Sequence, residues 1–253
     1  MDTFVKRNPT APQGFFACEA AGLRWLGAVE SGVPCVEVLE HDDVSLTLAR
    51  LTPIRPERAA AFEFGRRLAR THDAGATAFG AAPDGWSGPS YFGPLSDPLA
   101  MWTTTHDSWG RFYADERLAP MLERARLGSS GDRDAAAVLS RCRRGDFDDD
   151  DPPARVHGDL WSGNVMWTSD GVVLIDPAAH GGHGQTDLAM LALFGCPHLE
   201  AIVEGYQRQR PLRPGWRERI PLHQLFPLLA HVALFGAGYV GQTEAALKAT
   251  LGC

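Results

Sequence analysis

Residues 156–176 constrain this chain more than any other stretch. Val156-His157-Gly158-Asp159-Leu160-Trp161-Ser162-Gly163-Asn164-Val165 is followed by Val172-Val173-Leu174-Ile175-Asp176. The stretch sets an Asp, an Asn five residues later, and a second Asp at the end of a short apolar run. A phosphoryl-transfer site asks for these residue types. One carboxylate accepts the proton of an attacking hydroxyl, while a carboxamide and another carboxylate are hard oxygen ligands for Mg²⁺. The spacing suits the task. A tight loop aims Asp159 at the acceptor and turns Asn164 back toward the metal, and a strand over 172–175 delivers Asp176 from the other side. A lone His-Gly-Asp carries little, because an Asp in a loop is commonly a turn former. The combined pattern favours phosphotransferase chemistry over two turns flanking a hairpin.

Protein kinases use a comparable arrangement, with an Asp base and a metal-binding Asn in one loop and another metal Asp beyond it. Here His-Gly-Asp replaces His-Arg-Asp and Ile-Asp-Pro replaces Asp-Phe-Gly, which points to small-molecule kinases. Within that superfamily, His-Gly-Asp-Leu-Trp-Ser-Gly-Asn with Leu-Ile-Asp-Pro-Ala resembles the fructosamine kinase (ketosamine 3-kinase) family, related to the aminoglycoside phosphotransferases. Asp187-Leu188-Ala189-Met190-Leu191, Leu193-Phe194-Gly195, Gly215-Trp216-Arg217-Glu218-Arg219 and His231-Val232-Ala233-Leu234-Phe235-Gly236-x-Gly238-Tyr239 resemble the family's C-terminal half. The likeness runs from about residue 4 to residue 239, and Trp161-Ser162 is its most discriminating part.

The resemblance gives meaning to residues that are unremarkable alone. Thr3-Phe4-Val5-Lys6 reads as the end of a strand, and Lys6 by itself is a solvated charge. Kinases hold the nucleotide α/β-phosphates with a strand lysine oriented by a helix glutamate. By resemblance Lys6 pairs with Glu19, on a helix over 12–28; otherwise Glu19 is a surface helix charge. Strands over 33–39 and 44–51 follow, joined by His41-Asp42-Asp43. Leu48, Arg50 and Leu51 fall, by order along the chain, where the adenine-binding hinge lies in kinases. Asp187 is expected to anchor the backbone of the catalytic loop, although a local helix cap would explain it too. His157 joins it as structural support. The departure from the family lies at the start, where only five residues precede Lys6. A glycine-rich phosphate-covering loop is therefore not evident. Either the chain starts downstream of a longer N-terminus, or it is naturally shortened, or it binds nucleotide without that loop.

Among the remaining segments, 57–72 is an amphipathic helix in which His72 reads as a core or cap residue. Residues 75–99 read as a long loop, whose Trp86, Tyr91 and Phe92 either face a sugar site or pack on the protein. The segment 102–126 resembles a structural helical region, and 134–143 is a further helix. Asp146–Asp151, broken by Phe147, reads as a solvated linker rather than a metal site. His180 and His183 invite a zinc site, but no third ligand follows at suitable spacing. By resemblance His183 lies near the acceptor pocket, while His231 and Tyr239 either approach the acceptor or pack in the core. The rest, 202–210 and 222–251, reads as helices.

A formal charge of −7 argues against a nucleic-acid surface. No apolar run approaches the roughly 20 residues of a membrane span, and no signal segment marks the chain for export. Five dispersed cysteines (Cys18, Cys35, Cys142, Cys196, Cys253) fit reduced thiols in the cytoplasm. The expected architecture is an α+β, protein-kinase-like two-lobe fold, with a curtailed β-containing small lobe over 1–54 and a mostly helical large lobe over 55–253. The resemblance implies ATP-dependent, Mg²⁺-assisted phosphorylation of the sugar 3-hydroxyl of a ketosamine, free or protein-bound, in deglycation. Asp159 would be the base, Asn164 and Asp176 the metal ligands, Lys6 the phosphate ligand, and Trp161 a wall stacking on the amine cation. The alternatives are an aminoglycoside- or choline-type phosphotransferase, and a catalytically weak nucleotide- or ketosamine-binding protein.

Overall fold

The computed structural model describes residues 2–252; Cys253, counted above among the thiols, lies outside them. Strand β1 (Thr3–Arg7) carries Lys6 and leads into helix α1 (Phe15–Gly27). Strands β2 (Val38–His41) and β3 (Ser45–Ala49) complete a three-stranded antiparallel sheet in the order β1-β3-β2, with Lys6 opposite Leu46. One face of this sheet is apolar: Leu46 and Leu48 pack on Phe16 and Leu23 of α1. That packing fixes the distance between the Lys6 strand and the Glu19 helix. The first of these later strands is shorter than the sequence suggests. Pro34 lacks a donor for a ladder, and Cys35 instead forms an isolated parallel bridge to Leu174. Through that bridge the Leu174 N–H donates to Pro34 O and the Val36 N–H to Leu174 O, both at 2.9 Å.

Helix α2 (Arg58–Asp73) is amphipathic, and its buried face meets α7 (Leu199–Gln209). The two backbones approach closely at Gly65, where a Cβ would strike the carbonyl oxygen of Ile202. The expected long loop over 75–99 contains a hairpin, β4 (Ser90–Phe92) with β5 (Leu99–Met101). Its three-residue strands are too short for an alternation to register in the sequence. Helix α3 (Trp109–Phe112) runs through a π-helical turn (Tyr113–Leu118) into α4 (Ala119–Leu122), followed by α5 (Gly128–Arg144). Strand β6 (Ala154–Val156) pairs with β9 (His180–Gly182), and β7 (Val165–Thr168) with β8 (Gly171–Leu174). Helices α6 (Gln185–Leu193), α8 (Ile220–Phe235) and α9 (Val240–Leu251) complete the chain. The helix expected over 222–251 divides at Gly236, whose φ of 81° is not helical. Trp109, Phe112 and Leu118 join Phe226 and Leu229 of α8 in the main helical core.

The acidic run is not a solvated linker. Asp148 accepts from Ser108 Oγ at 2.5 Å and from the Gly110 N–H at 2.6 Å, capping α3. Asp149 is largely buried and pairs with Arg219 at 2.9 Å and with His183 at 3.3 Å. Asp151 meets Arg210 at 3.1 Å, while Asp150 alone of these faces water fully. Partners from distant segments, Ser108 and Gly110 for Asp148 and the arginines for Asp149 and Asp151, account for the difference, and nothing local announces them.

Four cysteines, Cys18, Cys35, Cys142 and Cys196, are free thiols. Burial pushes Cys35 and Cys142 up to about 12, which keeps them protonated and unreactive. Among the described residues no helix is long and apolar enough to cross a membrane.

Candidate active site

The loop between β6 and β7 places Asp159 and Asn164, and the end of β8 places Asp176. Each arrives with an identifiable support. Gly158 has φ +80°, and a Cβ there would run into Ala178 O, so the turn before Asp159 suits glycine. The buried carboxylate of Asp187, in the first turn of α6, accepts the His157 N–H at 2.7 Å and the Gly158 N–H at 3.0 Å. His72 Nε2 lies 3.1 Å from the same carboxylate, and His72 Nδ1 lies 2.9 Å from the Tyr206 hydroxyl. Burial alone would raise the Asp187 carboxyl, but the hydrogen bond and charge of His72 and its other donors hold it below the usual range. His157 is also buried: its Nε2–H donates to Ile175 O at 2.8 Å, and its Nδ1 accepts the Asp159 N–H at 3.2 Å. Both ring nitrogens are therefore assigned in a neutral imidazole, and burial lowers its pKa accordingly.

Asn164 ties the two aspartates together. Its Nδ2–H₂ donates to Asp159 O at 2.7 Å, Asp159 Oδ2 at 3.2 Å and Asp176 O at 3.4 Å. The amide donors are thus committed, which leaves Oδ1 as a ligand atom. Asp176 sits at φ +53°, a conformation that non-glycine residues seldom adopt and that concentrates at functional sites. Its carboxylate is part-exposed and lies 3.2 Å from Lys6 Nζ. Lys6 Nζ also donates to both Glu19 oxygens, at 2.8 and 2.9 Å. Burial works against the Lys6 charge, yet Glu19 and Asp176 outweigh it and hold the ammonium above its ordinary pKa.

Beside them lies a cavity of about 490 Å³. Glu19, Asp159, Asn164 and Asp176 line its polar end, and Trp161 and His231 stand on its walls. Burial pushes the Asp159 carboxyl up to about 7, with further upward pressure from the Asp176 and Asp187 charges against the opposing Asn164 hydrogen bond. A carboxylate poised there takes a proton at neutral pH efficiently. The Asp176 carboxylate and the Asn164 carboxamide are hard oxygen donors, a set that fits Mg²⁺.

Some expected site residues lie elsewhere. His183 is buried between Trp109 and His223, with ring centroids 5.2 and 4.9 Å away, and bonds Asp149 rather than facing the cavity. It does cluster with Asp149 and Asp151, their possible ligand atoms lying within 4.8 Å of one another, but without His180. Arg219, Arg210 and Arg213 already pair with those carboxylates, so the negative charge that would hold a cation is neutralised. In the hinge segment Leu48 points into the small core, Leu51 packs against it, and the Arg50 N–H is engaged by Asp2 O at 3.0 Å. The Arg50 amide is therefore not free to meet a base. Sequence reasoning passed over the role of His72, which lies 115 residues from Asp187. It also missed Phe194 and Phe235 on the cavity wall. No local signal could have found the first. The second pair could have been suspected as apolar residues beside helix-ending glycines.

Comparison with known proteins accords with this geometry. The sequence model of the family described as Fructosamine kinase matches residues 1–252. A probable ketoamine kinase of Synechocystis is 35% identical over 98% of this chain and 82% of its own length. The crystal structure of a candidate fructosamine-3-kinase from Thermobifida fusca superposes with a TM-score of 0.87 at 44% identity, over 99% of this chain and 86% of that one. An aminoglycoside phosphotransferase structure, at 17% identity and a TM-score of 0.58 over 98% of this chain and 86% of that one, shares the kinase-like fold.

Proposed function

Since the chain belongs to the fructosamine kinase family, we propose that it transfers the γ-phosphoryl group of ATP to the sugar 3-hydroxyl of a ketosamine. The observation that carries this reading is the convergence of Asp159, Asn164 and Asp176 on one cavity walled by the half-exposed ring of Trp161, with the Lys6 ammonium 3.2 Å from the Asp176 carboxylate.

In the proposed reaction the 3-oxygen bonds to Pγ as the bond from Pγ to the ADP oxygen breaks, and the hydroxyl proton passes to Asp159. The buried setting that lifts Asp159 to about 7 makes it a competent acceptor near neutrality. Lys6, aimed by Glu19, meets the nucleotide phosphates. Asn164 Oδ1 and the Asp176 carboxylate hold Mg²⁺, which when bound screens the phosphate charge. Asp187 and His157 keep the loop in the conformation that presents Asp159. The Trp161 ring stacks on the protonated amine of the substrate. In this reading residues 1–54 supply the nucleotide side of the cleft and residues 55–253 the acceptor side. The product carries a phosphate on C3, next to the carbonyl. Loss of a proton from C1 gives an enamine that expels this phosphate, after which water releases the amine.

The test is ATP consumption with Mg²⁺ over fructosamines, ribulosamines and aminoglycosides, with ³¹P NMR of the product. Turnover on a ketosamine, a C3 phosphate ester and loss of activity with chelator are the expected results. Phosphorylation of aminoglycosides alone, or of nothing, would overturn the assignment.

A further inference from the structure

The far wall of the cavity has a composition that the transfer step does not use. Phe194 follows α6, His231 and Phe235 lie on the last turns of α8, and Tyr239 ends the short 3₁₀ turn after it. The other three rings gather around His231, whose centroid is 4.9 Å from Phe194, 4.9 Å from Tyr239 and 5.3 Å from Phe235. Phe194 and Phe235 are 36% and 57% exposed although each lines the cavity. Large exposed apolar side chains gathered in a concave site mark a surface that binds something.

The charges narrow what that something is. Among the described residues the cavity lining includes no lysine or arginine. The Lys6 ammonium is engaged by Glu19 and Asp176. His231 adds no positive charge at neutral pH, because burial lowers its pKa against the opposing bond to Pro227. Its Nδ1–H donates to Pro227 O at 2.6 Å, which leaves Nε2 as an acceptor only. A carboxylate placed against these rings would lose water and meet no cation, with the Tyr239 hydroxyl as the one side-chain donor left among the four. A flat ring placed there would stack or meet ring edges.

We propose that Phe194, His231, Phe235 and Tyr239 form the subsite for the amine's substituent, and that it selects ketosamines of aromatic and other apolar amines over those bearing a carboxylate beside the nitrogen. The proposal rests on the ketosamine reading above and extends it from the sugar to the amine. The four rings are specificity determinants remote from the phosphoryl group. Their effect falls on substrate binding, hence on KM more than on kcat.

The test uses one sugar with three nitrogen substituents, benzyl, 4-aminobutyl and carboxymethyl, and measures kcat/KM for the full chain and for a Phe194→Ala/Phe235→Ala variant. The benzyl compound is expected to exceed the carboxymethyl compound about tenfold or more, the size of one to two ring contacts. In the variant that ratio falls about tenfold, chiefly through KM for the benzyl compound. Both rings are part-exposed, so their truncation leaves the core filled; remaining carboxymethyl turnover in the variant reports a folded site. A benzyl to carboxymethyl ratio near one, a ratio unchanged in the variant, or a preference for 4-aminobutyl over benzyl would each overturn the subsite. Failure of the underlying reading looks different: no member of the panel is phosphorylated by either protein, and both proposals fall together.

Discussion

Replacing Asp159 by Asn separates the cost of this buried carboxylate from its proposed use as the base. Burial moves this group from 3.8 to about 7. Each unit of pKa shift corresponds to about 1.4 kcal/mol, so the ionised form weighs against the native state by about 4 kcal/mol at most. The group is open to the cavity, and water relaxing around it reduces the figure to about 2 kcal/mol. The sign follows from the raised pKa. Below about pH 4 the carboxyl is protonated in both folded and unfolded chains and costs nothing. Between about pH 4 and 7 the unfolded chain ionises while the folded one does not, and the native state loses stability progressively; above 7 the penalty is constant. Asn keeps an acceptor for the Asn164 Nδ2–H₂ group and never ionises. Asp159→Asn is therefore expected to gain about 2 kcal/mol over the native protein at pH 8 and little at pH 4, while losing turnover by at least a hundredfold. Denaturant unfolding from pH 4 to 9 reads the first effect. The pH profile of kcat/KM for the native chain, rising with an apparent pKa near 7, reads the second. A variant that is no more stable at pH 8, or a native profile flat from pH 6 to 8, would refute the argument that desolvation poises this base.

Two further perturbations test the support around the base. Asp187→Asn removes one of the acceptors serving His157 N, Gly158 N and His72 Nε2 and turns an amide donor against a buried N–H. It is expected to cost about 3 kcal/mol and to lower kcat with little change in nucleotide affinity, read by denaturant unfolding and nucleotide titration. The native Asp187 pKa is depressed, so its contribution is present above about pH 4 and fades as acid lowers the pH below that; the variant should lack this acid limb of the stability curve. Gly65→Ala drives a methyl group into the Ile202 carbonyl between α2 and α7 and should destabilise by about 3 kcal/mol, visible as a lower Tm. An unaltered Tm would mean that the two helices part at no cost.

The legibility of this protein in its sequence divides along the reach of its interactions. Asp159, Asn164 and Asp176 stand within one loop and hairpin, so their spacing alone was enough to expect them side by side, as they are in the cavity. Lys6 and Glu19 lie farther apart, and only the resemblance paired them; the sheet packing on α1 then brings them to 2.8 Å. The run Asp146–Asp151 shows the limit. Its composition is that of a solvated stretch, and its structure is set by Ser108, Arg210 and Arg219, which the chain supplies from distant segments. His183 failed as a substrate residue for the same reason, since Asp149 and the rings of Trp109 and His223 hold it inside the protein.

The helix pair α2 and α7 links the most distant of these effects to the chemistry. Glycine at position 65 lets the helices touch, and that contact sets where the C-terminal turn of α2 lies relative to α7. His72 stands on that turn and Tyr206 on α7, and at that separation His72 Nδ1 and the Tyr206 hydroxyl meet at 2.9 Å. His72 then reaches Asp187, which gathers the amides before Asp159. A buried carboxylate without such donors would cost several kcal/mol, or would neutralise itself by taking a proton. With them it stays ionised, and its charge adds to the pressure that lifts Asp159 toward neutrality. The same anion therefore does two things: it fixes the loop's shape through hydrogen bonds and tunes the base through its field. Asp187→Asn should separate them, loosening the loop while lowering the Asp159 pKa, so that whatever activity remains extends to more acidic pH than in the native enzyme.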